Sequence, residues 1–226
     1  MKAKQHIVLF LMLATMASVS CNKQTVVDNA TNVGISKIVY FPSVTIKGDR
    51  VLSFTAGSTF TDPGVTATLN GKPTTVVTSP TISSSTAAGV YTVTYTATNP
   101  EGYTASDWRF VVVVPTSAVN DPVVAANDFS GTYLRAATGV TSTWTKIGIG
   151  VYQVENPGGA SVGAGKIAVV TNFSGMNISM PPQNDPDYGG QVSTSGAVYS
   201  AGPPATYHWV FNAGGYGTGV RTFVKQ

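Results

Sequence analysis

Cysteine is almost missing from this chain: 226 residues carry one, Cys21. A disulfide framework is therefore excluded, and so is any cysteine-rich zinc site. Histidine is nearly as scarce, with His6 and His208 alone, and one imidazole downstream of residue 20 cannot fill a metal site. Charged residues make up 10% of the chain, against ~25% in an average soluble domain. Thirteen basic side chains face ten acidic ones, and two of the basic ones, Lys2 and Lys4, sit in the first few residues. No basic stripe exists to neutralise phosphates, so a nucleic-acid partner is not expected. No apolar run reaches the ~20 residues that span a bilayer, and no 3.6-residue period persists beyond two turns after residue 20.

What is present at the N-terminus is an export signal. Lys2 and Lys4 precede an apolar run, Ile7 to Ala17, then the small residues Ser18-Val19-Ser20 and the lone Cys21. A charged start, a short apolar segment and small residues before a cut site make residues 1–20 a signal peptide. Cysteine at that cut site is what a bacterial lipoprotein signal requires, and its thiol would carry the lipid. Ser18 stands where the usual motif has leucine, and small-x-small also suits ordinary signal peptidase, which leaves a plainly secreted or periplasmic protein as the alternative. Lipidation at Cys21 accounts for an otherwise purposeless free thiol in an exported chain. Asn22 in place of aspartate gives no reason for inner-membrane retention. The expected location is the outer membrane, lipid-anchored, on the cell-surface or periplasmic face.

Residues 21–35 are polar and unperiodic, as a lipidated tether would be. From Ser36, short runs rich in Val, Thr and Tyr alternate with Gly and Pro. In Val90–Thr98, Tyr91, Val93, Tyr95 and Ala97 alternate with threonines, the period of a half-buried strand. Asn99-Pro100-Glu101-Gly102 is a turn by chemistry. The strand after it sets Trp108, Phe110, Val112 and Val114 on one face, expected to be core. Pro115 to Asn127 breaks the rhythm with two prolines, and residues 116–127 are expected to be a linker. Strand-like runs resume at Phe129–Ala136, Thr141–Ile147, Ile149–Glu155, Lys166–Thr171, Met176–Met180, Gln191–Ser200, Ala205–Phe211 and Val220–Lys225. The expected fold is all-β: a sandwich over 36–115, then a second small antiparallel β-barrel or sandwich over 128–226.

Ala56-Gly57-Ser58-Thr59-Phe60-Thr61-Asp62-Pro63-Gly64-Val65-Thr66-Ala67, with Ala88-Gly89-Val90-Tyr91-Thr92-Val93-Thr94-Tyr95 downstream, resembles a bacterial Ig-like domain. That resemblance covers residues 36–115 and implies an Ig-like β-sandwich acting as a spacer in a secreted or surface protein. Phe129-Ser-Gly-Thr-Tyr133, Gly150-Val-Tyr152 and Thr206-Tyr-His-Trp209 resemble the second domain of two-domain lipoproteins often encoded beside starch-utilisation-system-like glycan importers. The second resemblance implies capture of a polysaccharide or oligosaccharide at the outer membrane, with a glycan importer as partner.

Catalysis is poorly supplied. Glycoside hydrolysis needs two carboxylates ~5–9 Å apart across a cleft. The two glutamates, Glu101 and Glu155, fall in turns of different domains, although an aspartate pair stays open. His208 lacks a Gly-x-Ser-x-Gly serine for a triad and alternates with Tyr207 and Trp209 on a strand. The chain is not expected to be an enzyme, and no cofactor is implied.

Sugar recognition is better supplied, since it needs flat aromatic faces beside Asp, Asn or Gln. Trp144 shares a strand face with Ser142 and Lys146; exposure and core placement are both open for it. Pro181 to Gly190 is the longest polar loop, with Gln183, Asn184, Asp185, Asp187 and Tyr188 close together, and a plain solvated turn is the alternative. Its oxygens suggest a weak Ca²⁺ site, but the closing bidentate glutamate is missing and no metal is assigned. Tyr207, Trp209 and Phe211 form an aromatic row in which Phe211 is expected in the core and Trp209 is open. The candidate ligand-binding set is Trp144, Asp185, Asp187, Tyr188 and Trp209. The competing reading is an adhesin or structural surface protein that binds no carbohydrate.

Overall fold

The structure is a computed structural model that describes residues 32–33 and 36–226. The expected signal peptide, Cys21 and all of the expected tether except Asn32–Val33 lie outside the described residues. Of the residues described up to Tyr40, β1 (Asn32–Val33) and β2 (Ser36–Lys37) pair antiparallel in a unit of their own. All else belongs to a second unit, residues 41–226.

Its first part is a sandwich. One sheet holds β3 (Pro42–Ile46), β5 (Val65–Leu69) and β6 (Lys72–Pro73). The other runs in the order β4 (Val51–Thr55), β9 (Thr104–Val114), β8 (Gly89–Thr98) and β7 (Val77–Ser79). The expected hairpin is β8 and β9, closed by Asn99–Gly102, with Gly102 at φ 89° and the Asn99 Oδ1 accepting the Tyr103 N–H at 2.8 Å. Between the sheets Val93, Tyr95 and Val111 are buried among Ile46, Phe54 and Phe60.

The Asp-Pro-Gly motif is a structural clasp. Asp62 accepts the Gly64 N–H at 2.8 Å and the Tyr95 hydroxyl at 2.5 Å. Arg109, fully buried, lies 3.8 Å from the same carboxylate and donates to the carbonyls of Lys47 and Gly64 at 2.8 and 3.0 Å. A buried guanidinium is tolerated only with such an anion and carbonyls around it.

β9 is buried on both sides from Trp108 to Val114. Cross-strand pairs Val93–Arg109 and Tyr91–Val111 point into the sandwich, whereas Thr92–Phe110 and Val90–Val112 point out of it. The face of Trp108, Phe110, Val112 and Val114 is therefore buried outside the sandwich. It packs with Val51 against Val151 and Val169 of the second part.

That second part is a nine-stranded antiparallel sheet. Its order is β14 (Asn177–Ser179), β13 (Ile167–Ser174), β12 (Val151–Glu155), β11 (Val140–Gly148), β10 (Gly131–Arg135), β18 (Val220–Lys225), β17 (Thr206–Asn212), β16 (Gly190–Ser200) and β15 (Gln183–Asp185). The sheet curls into a barrel whose two ends meet. The Thr194 N–H donates to the Met180 carbonyl and the Met180 N–H to the Thr194 Oγ1, both at 3.0 Å. Gln183 closes the seam further up. Its amide accepts the Val169 N–H and donates to the Val169 carbonyl, each at 2.8 Å, so one side chain stands in for a missing strand. Closure removes the exposed sheet edges that invite aggregation.

The segment expected as a linker is a packed joint. It holds α1 (Thr116–Val119) and α2 (Pro122–Ala126), with Ala118 and Val124 fully buried in the cluster between sandwich and barrel. Asp121 caps α2 through the N–H groups of Val123 and Val124, Pro122 occupies the first turn, and the other Asp121 oxygen accepts the Gly175 N–H at 3.2 Å. Asn127 donates to the Asn172 Oδ1 and the Gly175 carbonyl at 2.8 and 2.7 Å. Its prolines start a helix and flank a buried alanine; they do not hold an extended tether.

Candidate recognition site

Closing the sheet decides the fate of the aromatics. Along β11, Ser142 and Trp144 face the barrel interior and are 1% and 2% exposed, while Thr143 and Thr145 face out. Along β17, Tyr207, Trp209 and Phe211 all point inward. Trp144 and Trp209 stack with centroids 5.7 Å apart and planes at 21°, and Tyr207 stacks on Phe223 at 4.5 Å. The Trp209 indole N–H donates to the Pro157 carbonyl at 3.0 Å. Trp144 and Trp209 thus fill the barrel and present no face to a sugar, which corrects their assignment as ligand-binding residues. The reason is volume: an eight- or nine-stranded barrel is just wide enough for large side chains to fill it.

Asp185, Asp187 and Tyr188 do come together, at the turn from β15 to β16. Most of this stretch was expected to be a loop, yet Gln183–Asp185 is a strand, with Gln183 and Asp185 buried and Asn184 exposed between them. Asp185 Oδ1 accepts the Asp187 N–H at 3.0 Å, and its backbone carbonyl accepts the Tyr188 N–H at 3.2 Å. Oδ2 is buried without a hydrogen-bond partner. Burial, helped by the neighbouring Asp187 charge, pushes the carboxyl up to about 6. The N–H donors of Asp187 and Tyr188 and the Lys166 ammonium pull the other way. Asp187 itself is exposed.

Tyr188 is half-buried and engaged on several sides. The Lys166 ammonium sits 4.9 Å from its ring centre, Phe211 meets it edge-on at 5.4 Å, and Tyr216 leans on it at 5.8 Å. Burial also raises its hydroxyl far above the usual phenol value, and the Tyr216 hydroxyl adds to the rise. Of the five candidates, Asp187 is the one that offers a side chain freely to solvent.

The surroundings of this turn include residues that were not singled out from the sequence. Pro157-Gly158-Gly159 folds across the end of the barrel, and its carbonyls are held by side chains. Arg221 donates to Gly158 at 2.9 Å, Arg135 to Gly159 at 3.2 Å and Thr138 to Gly159 at 2.8 Å. Arg221 also donates to the Tyr216 carbonyl and lies under the Tyr216 ring, 5.3 Å from its centre. A Cβ on Gly158 would meet the Tyr216 ring at 2.2 Å, which explains the glycine. The signal for Arg221 was its parity with Phe223 on one strand, which places an arginine on the inward face. Among the described residues, no three His, Cys, Asp or Glu side chains gather as metal ligands would.

Residues 44–113 match the family described as bacterial surface protein, Ig-like domain, which is less than half of the chain. No curated protein matches it. Among solved structures, a lipoprotein from Bacteroides thetaiotaomicron is 19% identical, covers 82% of this chain and 100% of its own, and has a TM-score of 0.41. The M60 catalytic domain with two CBM51 domains from Clostridium perfringens ZmpB is 16% identical, covers 64% of this chain and 15% of its own, at a TM-score of 0.28. Neither likeness assigns a role to any residue here. The Ig-like match points to a surface protein of the bacterial cell envelope.

Proposed function

We propose that this chain is a non-catalytic outer-membrane protein, lipid-anchored through Cys21, whose sandwich and barrel act as one structural body displayed from the envelope. One observation carries the reading: the Trp108–Val114 face of β9 is buried against the barrel, with Ala118 and Val124 of the joint packed into the same cluster. Spacer and head are therefore continuous, and the large aromatics of the barrel are spent on its own packing. A Cys21→Ala variant is expected in the soluble fraction and the wild type with membranes; equal partitioning of the two would remove the anchor from the proposal.

A glycan-capturing reading, with an importer as partner, rests on one turn. Exposed Asp187 and half-buried Tyr188 follow Asp185 in the turn, and its Oδ2 has no partner. Affinity electrophoresis of the full chain against a polysaccharide panel separates the two readings. The structural body gives no retardation. Retardation that weakens about tenfold or more in Asp187→Ala would establish the glycan reading instead.

A further inference from the structure

The exposed large apolar side chains of the sandwich are not scattered. Within residues 41–115 they are Phe41, Val77 and Tyr103, which are 63%, 71% and 51% exposed. The strand register brings all three to one end. Phe41 precedes Pro42, which pairs with Leu69 just before the Asn70–Gly71 turn. Tyr103 precedes Thr104, which pairs with Thr98 at the end of β8. Val77 pairs with Thr96, two residues further in. The rings of Phe41 and Tyr103 touch, with centroids 5.0 Å apart and planes at 57°. Exposed Lys72 follows the Asn70–Gly71 turn, and exposed Glu101 sits in the turn before Tyr103.

This end has a second property: the chain enters the body there. Phe41 is the first residue of the 41–226 unit, and Cys21 lies twenty residues before it in the sequence. From the same end β9 runs away to Val114, after which α1 leads into the barrel. Single exposed apolar residues need no explanation, but two exposed aromatic rings in contact, with Val77 two residues in from the same end, mark an interaction surface.

We propose that this tip rests in the phospholipid interface, with Phe41, Val77 and Tyr103 entering the boundary between headgroups and acyl chains. Aromatic rings favour that layer because one end is apolar and the other wet. The Lys72 ammonium would meet lipid phosphates, while Glu101 stays in the hydrated headgroup layer. The proposal rests on the anchor at Cys21, since a three-residue patch binds lipid weakly by itself. Residues 21–40 reach at most roughly 70 Å, so a lipidated chain holds the tip at an effective concentration near millimolar, where a weak contact is populated.

The test uses the full lipidated protein in phosphatidylcholine vesicles, with and without brominated acyl chains. Trp108, Trp144 and Trp209 are buried, 8%, 2% and 0% exposed, and give a background that bromine does not reach. Phe41→Trp adds a reporter at the tip, and Val198→Trp adds one on the exposed outer wall of the barrel. The expected result is loss of the added emission in brominated vesicles for Phe41→Trp and no loss for Val198→Trp. Flotation of the same samples separates the two claims. Protein that fails to float overturns the anchor, and the tip contact with it. Protein that floats while Phe41→Trp emission is unchanged overturns the tip contact alone, and equal quenching of both reporters overturns the assignment of the surface to this end.

Discussion

Replacing Asp185 with asparagine isolates the electrostatics of the β15–β16 turn, because the amide keeps an oxygen for the Asp187 N–H and removes the charge. The wild-type carboxyl is 0% exposed, its Oδ2 has no partner, and burial lifts it from 3.8 to about 6. Two pH units correspond to about 3 kcal/mol at most, and water around exposed Asp187 screens part of it, leaving about 2 kcal/mol. Between pH ~4 and ~6 the folded state holds more protons than the unfolded state, so wild-type stability falls as pH rises through that window and stays lowered above it. Below pH ~4 both states are protonated and the cost vanishes. Asp185→Asn should therefore match the wild type near pH 4 and melt roughly 4–8 °C higher at pH 7.5 for a chain of this size. Differential scanning calorimetry at both pH values reads this directly. A variant less stable than wild type at pH 7.5 would refute the reasoning. An equal gap at both pH values would refute it too, since the effect would then not be electrostatic.

Two further substitutions examine the packing. Phe110→Ala empties a fully buried site between sandwich and barrel and should cost about 3–5 kcal/mol; thermal unfolding should then split into two transitions, and limited proteolysis should begin to cut residues 116–127, which the wild type protects. Gly158→Ala would set a methyl 2.2 Å from Tyr216 and 3.0 Å from Phe211, so it should destabilise by about 2 kcal/mol or more, read as a lowered denaturant midpoint with unchanged melting at a control alanine on Gly214, where nothing lies within 4 Å of a Cβ.

The sequence alone determined the all-β class, the Ig-like sandwich and nearly every strand of the barrel, because alternation and turn chemistry are local properties of neighbouring residues. The hairpin of β8 and β9 is the clearest case: Tyr91 to Ala97 and Asn99 to Gly102 state strand and turn in a single stretch. Alternation marks which side chains share a face; it does not say what that face meets. For Trp108 and Phe110 the partner is the barrel and not the sandwich interior, and for Trp144 and Trp209 it is the barrel's own centre. Both outcomes depend on contacts between strands far apart in the chain. The polar stretch Pro181–Gly190 concealed β15 because Gln183 is buried by a long-range bond to Val169 and Asp185 by the turn and its neighbours, so neither carries the apolar signature of an inward residue. Burial in a closed barrel is set by which edges meet, and only the tertiary fold decides that.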